Sequence, residues 1–191
     1  MSDAAAKRRA RQTVTNLVLA LGASVGLVVA LVMIVPRDDS SLVKKVDYVS
    51  VAKDAAASTS RPVIVPTIQT AWWCNSARWE ANPGDGTAAS WYVGFVGPKN
   101  QYIGMTQTYK TNPTWLAIQL SGLKQTGTIS FGSSHWQIWQ TKETHLPAKT
   151  KDYMLVTSQA DDTVLVYGTA SNAEMKTFAK AVTAQIDSVY P

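Results

Sequence analysis

The chain has 191 residues, of which 46% are hydrophobic and 16% are charged. That is enough for one membrane span and one domain of ordinary size, and the composition is too apolar for a disordered protein. The net charge of +5 is concentrated at the start: without the four basic residues and one acidic residue of positions 1–11, 14 basic residues remain against 12 acidic ones. A net charge of +2 excludes nucleic acid as a partner, because such proteins carry a strongly basic surface.

An uncharged segment lies between Arg11 and Arg37, and its residues 14–35 are almost wholly apolar after Asn16. A helix of that length measures about 33 Å, which matches a hydrocarbon core of about 30 Å. The alternative is a cleaved signal peptide, whose apolar region is shorter and ends in small residues, whereas this one ends in LVMIVPRDD. We therefore predict an uncleaved transmembrane helix at 14–35, with the lipid bilayer as its partner.

The charges that flank this segment predict its orientation. Basic residues precede it, whereas the single Arg37 that follows is offset by two aspartates. Because basic residues stay on the cytoplasmic side, we predict a basic cytoplasmic tail at 1–13, a tether at 36–45 and an extracytoplasmic domain at 46–191. The protein is then expected in the cytoplasmic membrane.

Within that domain, an alanine-rich stretch, VSVAKDAAAST, predicts a helix that ends before Pro62 and Pro66. Short runs rich in aromatic and β-branched residues then alternate with turns such as NPGDG, which is typical of an antiparallel sheet. Seven strands are predicted, at 71–80, 90–96, 101–108, 127–131, 135–141, 153–159 and 163–168. Between the third and fourth, Asn112 and Gly122 are suited to begin and end a short helix.

The last segment predicts an amphipathic helix. It begins with Ser171 and Glu174, a capping box, and its apolar residues recur every three or four positions. These apolar residues are Met175, Phe178, Ala179, Val182, Ile186 and Val189. The predicted fold class is therefore α+β: an N-terminal transmembrane helix, followed by an antiparallel sheet of about seven strands packed against helices.

Cys74 is the only cysteine, so the chain has neither an internal disulfide nor a multi-cysteine metal site. We interpret it as a small buried apolar residue. All seven tryptophans lie in the predicted domain. Their main interpretation is packing on a half-buried sheet, and the alternative is that exposed rings stack on sugars or rest on a partner protein.

No set of residues has the spacing that catalysis or metal binding needs. His135 and His145 are ten residues apart, which is not the spacing of a metal-binding pair. Ser133 and Ser134 precede His135, but the chain has no G-x-S-x-G motif. The acidic residues lie mostly in or near turns, so we interpret them as solvated turn residues and not as a pair of carboxylates that face each other across a cleft. We predict no catalytic residue, no metal, no cofactor and no enzymatic activity.

Strand alternation gives one candidate contact surface. On the fifth predicted strand, Trp136 and Ile138 share one face, and His135, Gln137 and Trp139 share the other. If only one face belongs to the core, the face with the polar residues is the exposed one. We therefore predict a contact surface formed by Trp139, His135 and Gln137.

The basic start, the apolar segment and several aromatic stretches together resemble an actinobacterial family of membrane-anchored proteins known as domain of unknown function 4245. The aromatic stretches are VDY from Val46, the region of Trp73, SWYVGFVGP from Ser90, QYIGMTQT from Gln101 and LVYGTAS from Leu165. The resemblance implies a location in the cell envelope. It carries over no functional residue, because these motifs belong to the fold.

From these features we expect a single-pass, membrane-anchored extracytoplasmic interaction module. It would be an accessory or assembly subunit of a membrane or cell-envelope complex, with respiratory-chain assemblies among the conceivable hosts, and its partner would be a membrane or envelope protein. The alternative function is binding of an envelope glycan or lipid.

Overall fold

A computed structural model describes residues 3–34, 44–84, 89–143 and 149–190. The chain forms two compact units, residues 1–42 and 43–191. This division agrees with a helical N-terminal segment followed by a separate domain.

The described residues of the first unit form one helix, α1, which spans Asp3–Ile34. Its residues Arg11–Ile34 are long and apolar enough to cross a membrane, by length and composition, and their side chains are exposed. The hydroxyls of Thr13, Thr15 and Ser24 each donate to the carbonyl four residues earlier, at 2.9–3.0 Å, so these polar groups are satisfied within the helix.

The helix α1 extends beyond the predicted membrane segment at its N-terminal end. The helix already includes residues 3–13, which were predicted as the basic tail. The predicted tether at 36–45 lies outside the described residues except for Lys44 and Lys45, which are exposed.

The described residues of the second unit form three helices and one sheet. Its elements are α2 (Tyr48–Ser58), β1 (Trp73–Glu80), β2 (Ala89–Val96), β3 (Tyr102–Tyr109), α3 (Pro113–Gln119), β4 (Leu123–Phe131), β5 (Ser134–Thr141), β6 (Tyr153–Gln159), β7 (Asp162–Gly168) and α4 (Asn172–Val189). The seven strands are antiparallel, in the order β1-β2-β3-β7-β6-β5-β4. The predicted α+β class and strand number are confirmed.

The helix ends follow the local signals in the sequence. Asn112 caps α3 by accepting from the Thr114 amide at 2.8 Å, and Gly122 has the expected positive φ, 80°. Ser171 and Glu174 form the predicted capping box of α4. The strand β4 begins four residues before the predicted Gly127, because a β-bulge at 125–127 interrupts its alternation.

Two helices, α2 and α4, pack on one side of the sheet, which we call the helix face. The strands contribute to this core Cys74, Trp91, Val93, Phe95, Ile103, Met105, Trp136, Tyr153, Leu155, Val164 and Val166. The helices contribute Ala52, Ala55, Met175, Phe178, Ala179, Val182 and Ile186. Val189, the last residue of the predicted apolar stripe, is half-buried against this core.

A second, smaller cluster lies on the opposite side of the sheet. Trp115 of α3 packs there with Met154, Val156 and Leu165, and Trp139 is half-buried against it. The expectation that only one face of the sheet belongs to the core is therefore wrong for the central strands, since α3 covers part of the second face.

Candidate functional site

The predicted contact surface lies on this second side of the sheet. His135 and Gln137 are exposed, as predicted, but Trp139 is half-buried against the second cluster. Its indole Nε1 donates to Gln137 Oε1 at 2.9 Å, which holds the amide against the ring. The three residues are neighbours on β5, and whether they contact a partner stays a prediction.

His135 also belongs to a pair that the sequence reasoning missed. It lies directly opposite Ser130 on β4, and Ser130 Oγ is 2.8 Å from His135 Nδ1. A serine hydrolase needs, in addition, a carboxylate that orients the histidine and donors for an oxyanion. The described residues supply no carboxylate bonded to His135, and both members of the pair are exposed, so we interpret it as a cross-strand hydrogen bond.

A larger aromatic surface occupies the same side of the sheet over β1, β2 and β3. We call it the open face and define it by Trp73, Arg78, Tyr92, Val96, Tyr102 and Thr106. Strand pairing places these residues in two rows on one side, because Trp73 pairs with Val96 and Val96 with Tyr102, while Arg78 pairs with Tyr92 and Tyr92 with Thr106. Its apolar and aromatic members belong to neither hydrophobic cluster and are half-buried.

Two glycines allow the tyrosine rings of the open face to lie close to the sheet. Gly94 of β2 pairs with Gly104 of β3. A Cβ atom at Gly94 would lie 2.5 Å from Tyr102 Oη and 2.9 Å from Tyr92 Oη, so a larger residue would displace both hydroxyls. Those two hydroxyls hydrogen-bond to each other.

The remaining polar groups extend this surface on both sides. The Arg78 guanidinium lies 4.0 Å from the centroid of the Tyr92 ring, a cation–π contact, and Arg78 Nε bonds to Glu80 at 2.9 Å. On the other side, Tyr167 Oη is 3.1 Å from Thr106 Oγ1. Burial raises the pKa of Tyr102, and its hydrogen bond with Tyr92 raises it further, so the hydroxyl stays protonated at neutral pH.

A buried polar cluster lies at the end of the helix face. Asp162 accepts from Arg61 Nη1 at 2.5 Å and from Tyr190 Oη at 2.7 Å. Tyr190 Oη in turn accepts from Gln107 Nε2 at 3.1 Å, and Gln107 Oε1 accepts from the Ile64 amide at 3.0 Å. These hydrogen bonds join the strands β3 and β7 to residues 61–64 and to the end of α4. We therefore interpret the cluster as one that stabilises the fold.

Neither histidine nor cysteine forms a metal site in the described part of the chain, where no three metal-binding side chains come together. His145 lies outside the described residues. Cys74 is 4% exposed, and its Sγ donates to the Ser76 carbonyl at 3.2 Å. Burial raises the pKa of the thiol, which agrees with its interpretation as an unreactive core residue.

The tryptophans follow mainly the packing interpretation. Trp91, Trp115 and Trp136 are buried, and the other four are half-buried. The two most deeply buried rings also have partners for their indole N–H groups, since Trp91 donates to the Ile64 carbonyl at 2.9 Å and Trp136 to Thr183 Oγ1 at 2.8 Å.

The chain thus combines an N-terminal apolar helix with an α+β domain in which, among the described residues, α3 covers only part of the second side of the sheet. A family model matches residues 9–182, and the chain belongs to this family, which is described as protein of unknown function (DUF4245). No curated protein and no solved structure shows significant similarity to the chain.

Proposed function

We propose that the chain is a membrane-anchored interaction module, with α1 as an uncleaved anchor, the N-terminus in the cytoplasm and the domain outside. The length and composition of Arg11–Ile34 support the anchor. The excess of basic residues before this segment supports the orientation. On this proposal the domain works at the outer surface of the cell membrane.

The open face is the single observation that favours an interaction module over an enzyme. Tyrosine, tryptophan and arginine contribute most to binding in protein interfaces, and the open face presents Tyr92, Tyr102, Trp73 and Arg78 side by side. The Tyr92 ring is held between the sheet and the Arg78 guanidinium, so little side-chain freedom remains to be lost on binding.

An unsatisfied acceptor marks the same region. Asn75 Oδ1 is buried and has no hydrogen-bond partner among the described residues, and it lies 2.9 Å from where a Cβ of Gly94 would be. The buried carboxylate of Asp162, by contrast, is engaged by Arg61 and Tyr190, and the His135 imidazole bonds to Ser130 with no carboxylate among the described residues to orient it. We therefore infer that the domain has no enzymatic activity and is an accessory or assembly subunit of a membrane or envelope complex, a respiratory assembly being one such host.

Affinity purification from the native membrane tests this proposal. We expect the full-length protein, extracted in mild detergent, to retain a stoichiometric membrane or envelope protein that mass spectrometry identifies. Tyr92→Ala removes the central ring of the open face, and a residue of this kind is worth about 2 kcal/mol or more in an interface. The partner recovered with Tyr92→Ala should then fall at least about tenfold.

The control is Lys53→Ala, which removes an exposed side chain from α2. It should leave partner recovery unchanged. Equal recovery with Tyr92→Ala and Lys53→Ala would contradict the open face as the interface, and a protein that always purifies alone would contradict the accessory-subunit function.

The second candidate function is binding of an envelope glycan. It is favoured by the half-buried Trp73 ring of the open face and by the nearby hydroxyls of Tyr92, Tyr102 and Thr106, since sugars stack on aromatic rings while bonding to polar groups. A solitary protein whose tryptophan emission shifts saturably with a polysaccharide fraction of the envelope would favour this function over the first.

A further inference from the structure

A cavity lies between α4 and the segment that precedes β1, on the helix face and therefore apart from the open face. Its volume is about 170 Å³, and its apolar lining includes Ile68, Trp72, Ile103, Phe178 and Ala181. The Trp72 amide donates to the Gln69 carbonyl at 2.9 Å, and this turn holds the indole at the cavity.

The size of the cavity limits what it can hold. An apolar cavity of about 150 Å³ stays dry and accepts a benzene molecule. A cavity of about 170 Å³ therefore has room for a ring of that size or for roughly six carbons of a chain. Ile103 is 2% exposed and Phe178 is 8% exposed, so the inner wall is part of the main core.

The polar residues at the cavity do not make it a site for a charged group. Glu174 already accepts from the Ser171 amide at 2.9 Å, from Ser171 Oγ at 2.7 Å and from Gln101 Nε2 at 3.0 Å. Its carboxylate is occupied by the capping box of α4. Thr177 is exposed and lies at the mouth, where it can face the polar part of a bound molecule.

We propose that this cavity binds the end of an acyl chain, with the head group left in solvent beyond Thr177. The choice of an acyl chain over another apolar group rests on the proposed anchoring. Nine residues separate Ile34 from Lys44, and even fully extended they span about 35 Å. An anchored domain is thus confined to a region where membrane lipids are the most abundant apolar molecules.

Fluorescence quenching tests the proposal with the full chain in phospholipid nanodiscs. α1 contains no tryptophan, so the emission reports on the domain alone. One arm adds free 11,12-dibromostearate, whose bromines lie next to the six carbons that fill the cavity and can quench the nearby indole. The other arm uses nanodiscs made with increasing fractions of a phosphatidylcholine that is brominated at the same positions. We expect saturable quenching that unbrominated stearate reverses, in the first arm if the ligand is a free fatty acid and in the second if it is a phospholipid.

Two substitutions fill the cavity without disturbing the core. Ala181→Leu fills it from its half-buried wall, and Thr177→Leu fills it from its exposed mouth. Each should raise the ligand concentration that gives half-maximal quenching by about tenfold. This is the loss of affinity expected when roughly two methylene groups of the ligand no longer fit in the cavity. Ala184→Leu makes the same kind of change at an exposed position of α4 outside the cavity, and it should bind like the parent protein.

Three results would overturn the proposal: no quenching in either arm, quenching that never saturates, or quenching that is equal in all four proteins. Circular dichroism checks that the variants are folded. If Ala181→Leu does not fold, Thr177→Leu alone tests the proposal. If α1 is not a membrane anchor, the chain will not insert into nanodiscs. This result distinguishes a failure of the proposed anchoring from a failure of the proposed cavity. The free-acid arm can still be performed on that chain in solution.

Discussion

The amide of Gln107 is completely buried in the helix face, where an apolar residue would be expected. Its Oε1 accepts from the Ile64 amide, and its Nε2 donates to the Pro62 carbonyl at 2.9 Å and to Tyr190 Oη. The segment 61–64 is not part of a strand, so its polar backbone has no ladder to pair with. Gln107 supplies the pairing that a neighbouring strand would otherwise provide.

We expect Gln107→Leu to lower the free energy of unfolding by about 2 kcal/mol, because it leaves the Ile64 amide buried without an acceptor. The Pro62 carbonyl keeps a second donor, Tyr109 Oη at 2.7 Å, and adds little to the loss. Urea denaturation followed by tryptophan emission measures the change. Gln125→Leu, at an exposed position of β4, is the control and should change stability by less than about 0.5 kcal/mol. Similar losses in both variants would contradict this role.

At Gly168, the end of β7 lies close against the backbone of β3. A Cβ atom at this glycine would overlap the carbonyl oxygen of Tyr102, which is backbone and cannot move aside. The same carbonyl accepts from the Thr169 and Ala170 amides at 2.9 and 3.2 Å, so the contact also directs the chain from β7 into α4. The connection between sheet and helix therefore requires glycine at its start.

Gly168→Ala is expected to destabilise the domain by about 3 kcal/mol, because the two backbones must separate to admit the methyl group. Gly127 on β4 is the matched control, since a Cβ there would meet nothing closer than Ile138 Cδ1 at 3.9 Å. Gly127→Ala should be neutral or slightly stabilising, as alanine loses less backbone freedom on folding. Thermal denaturation of the two variants compares them. If both variants have the melting temperature of the parent protein, the domain does not need the close contact between Gly168 and the Tyr102 carbonyl.

At the scale of the whole molecule, the sequence predicted the features that depend on neighbouring residues. The limits of β6 and the capping box at Ser171 were predicted correctly, because alternation and cap spacing are local signals. The packing of Trp115 against the second side of the sheet was not predicted. It depends on where α3 returns to the sheet, which local patterns do not encode.

The open face shows the same limit. The alternation of SWYVGFV and QYIGMTQT places Tyr92 beside Gly94, and Tyr102 beside Gly104, on one side of each strand. These glycines were a usable signal, since glycine inside a strand often marks a close approach of another group. Only the register between β2 and β3, however, shows that the two glycines are paired beneath the two hydroxyls.

One buried and two half-buried tyrosines, distributed over both sides of the sheet, make the stability of the domain sensitive to alkaline pH. Burial raises the pKa of Tyr102, Tyr109 and Tyr190, and the neighbouring Asp162 raises the last two further. The unfolded chain ionises its tyrosines near pH 10, whereas the folded domain keeps these three protonated. Their contribution to stability is therefore fully present below about pH 10 and is lost as the pH rises above it.

Each of these tyrosines should lower the free energy of unfolding as the pH rises above about 10, by up to about 1 kcal/mol per pH unit. Urea denaturation at a series of pH values measures the slope. In Tyr190→Phe the slope of stability against pH should be smaller, because one tyrosine fewer releases a proton on unfolding. The variant should also be less stable at neutral pH, because Asp162 loses the 2.7 Å hydrogen bond. A stability that is constant from about pH 9 to 11 would mean that these hydroxyls titrate as freely in the folded domain as in the unfolded chain.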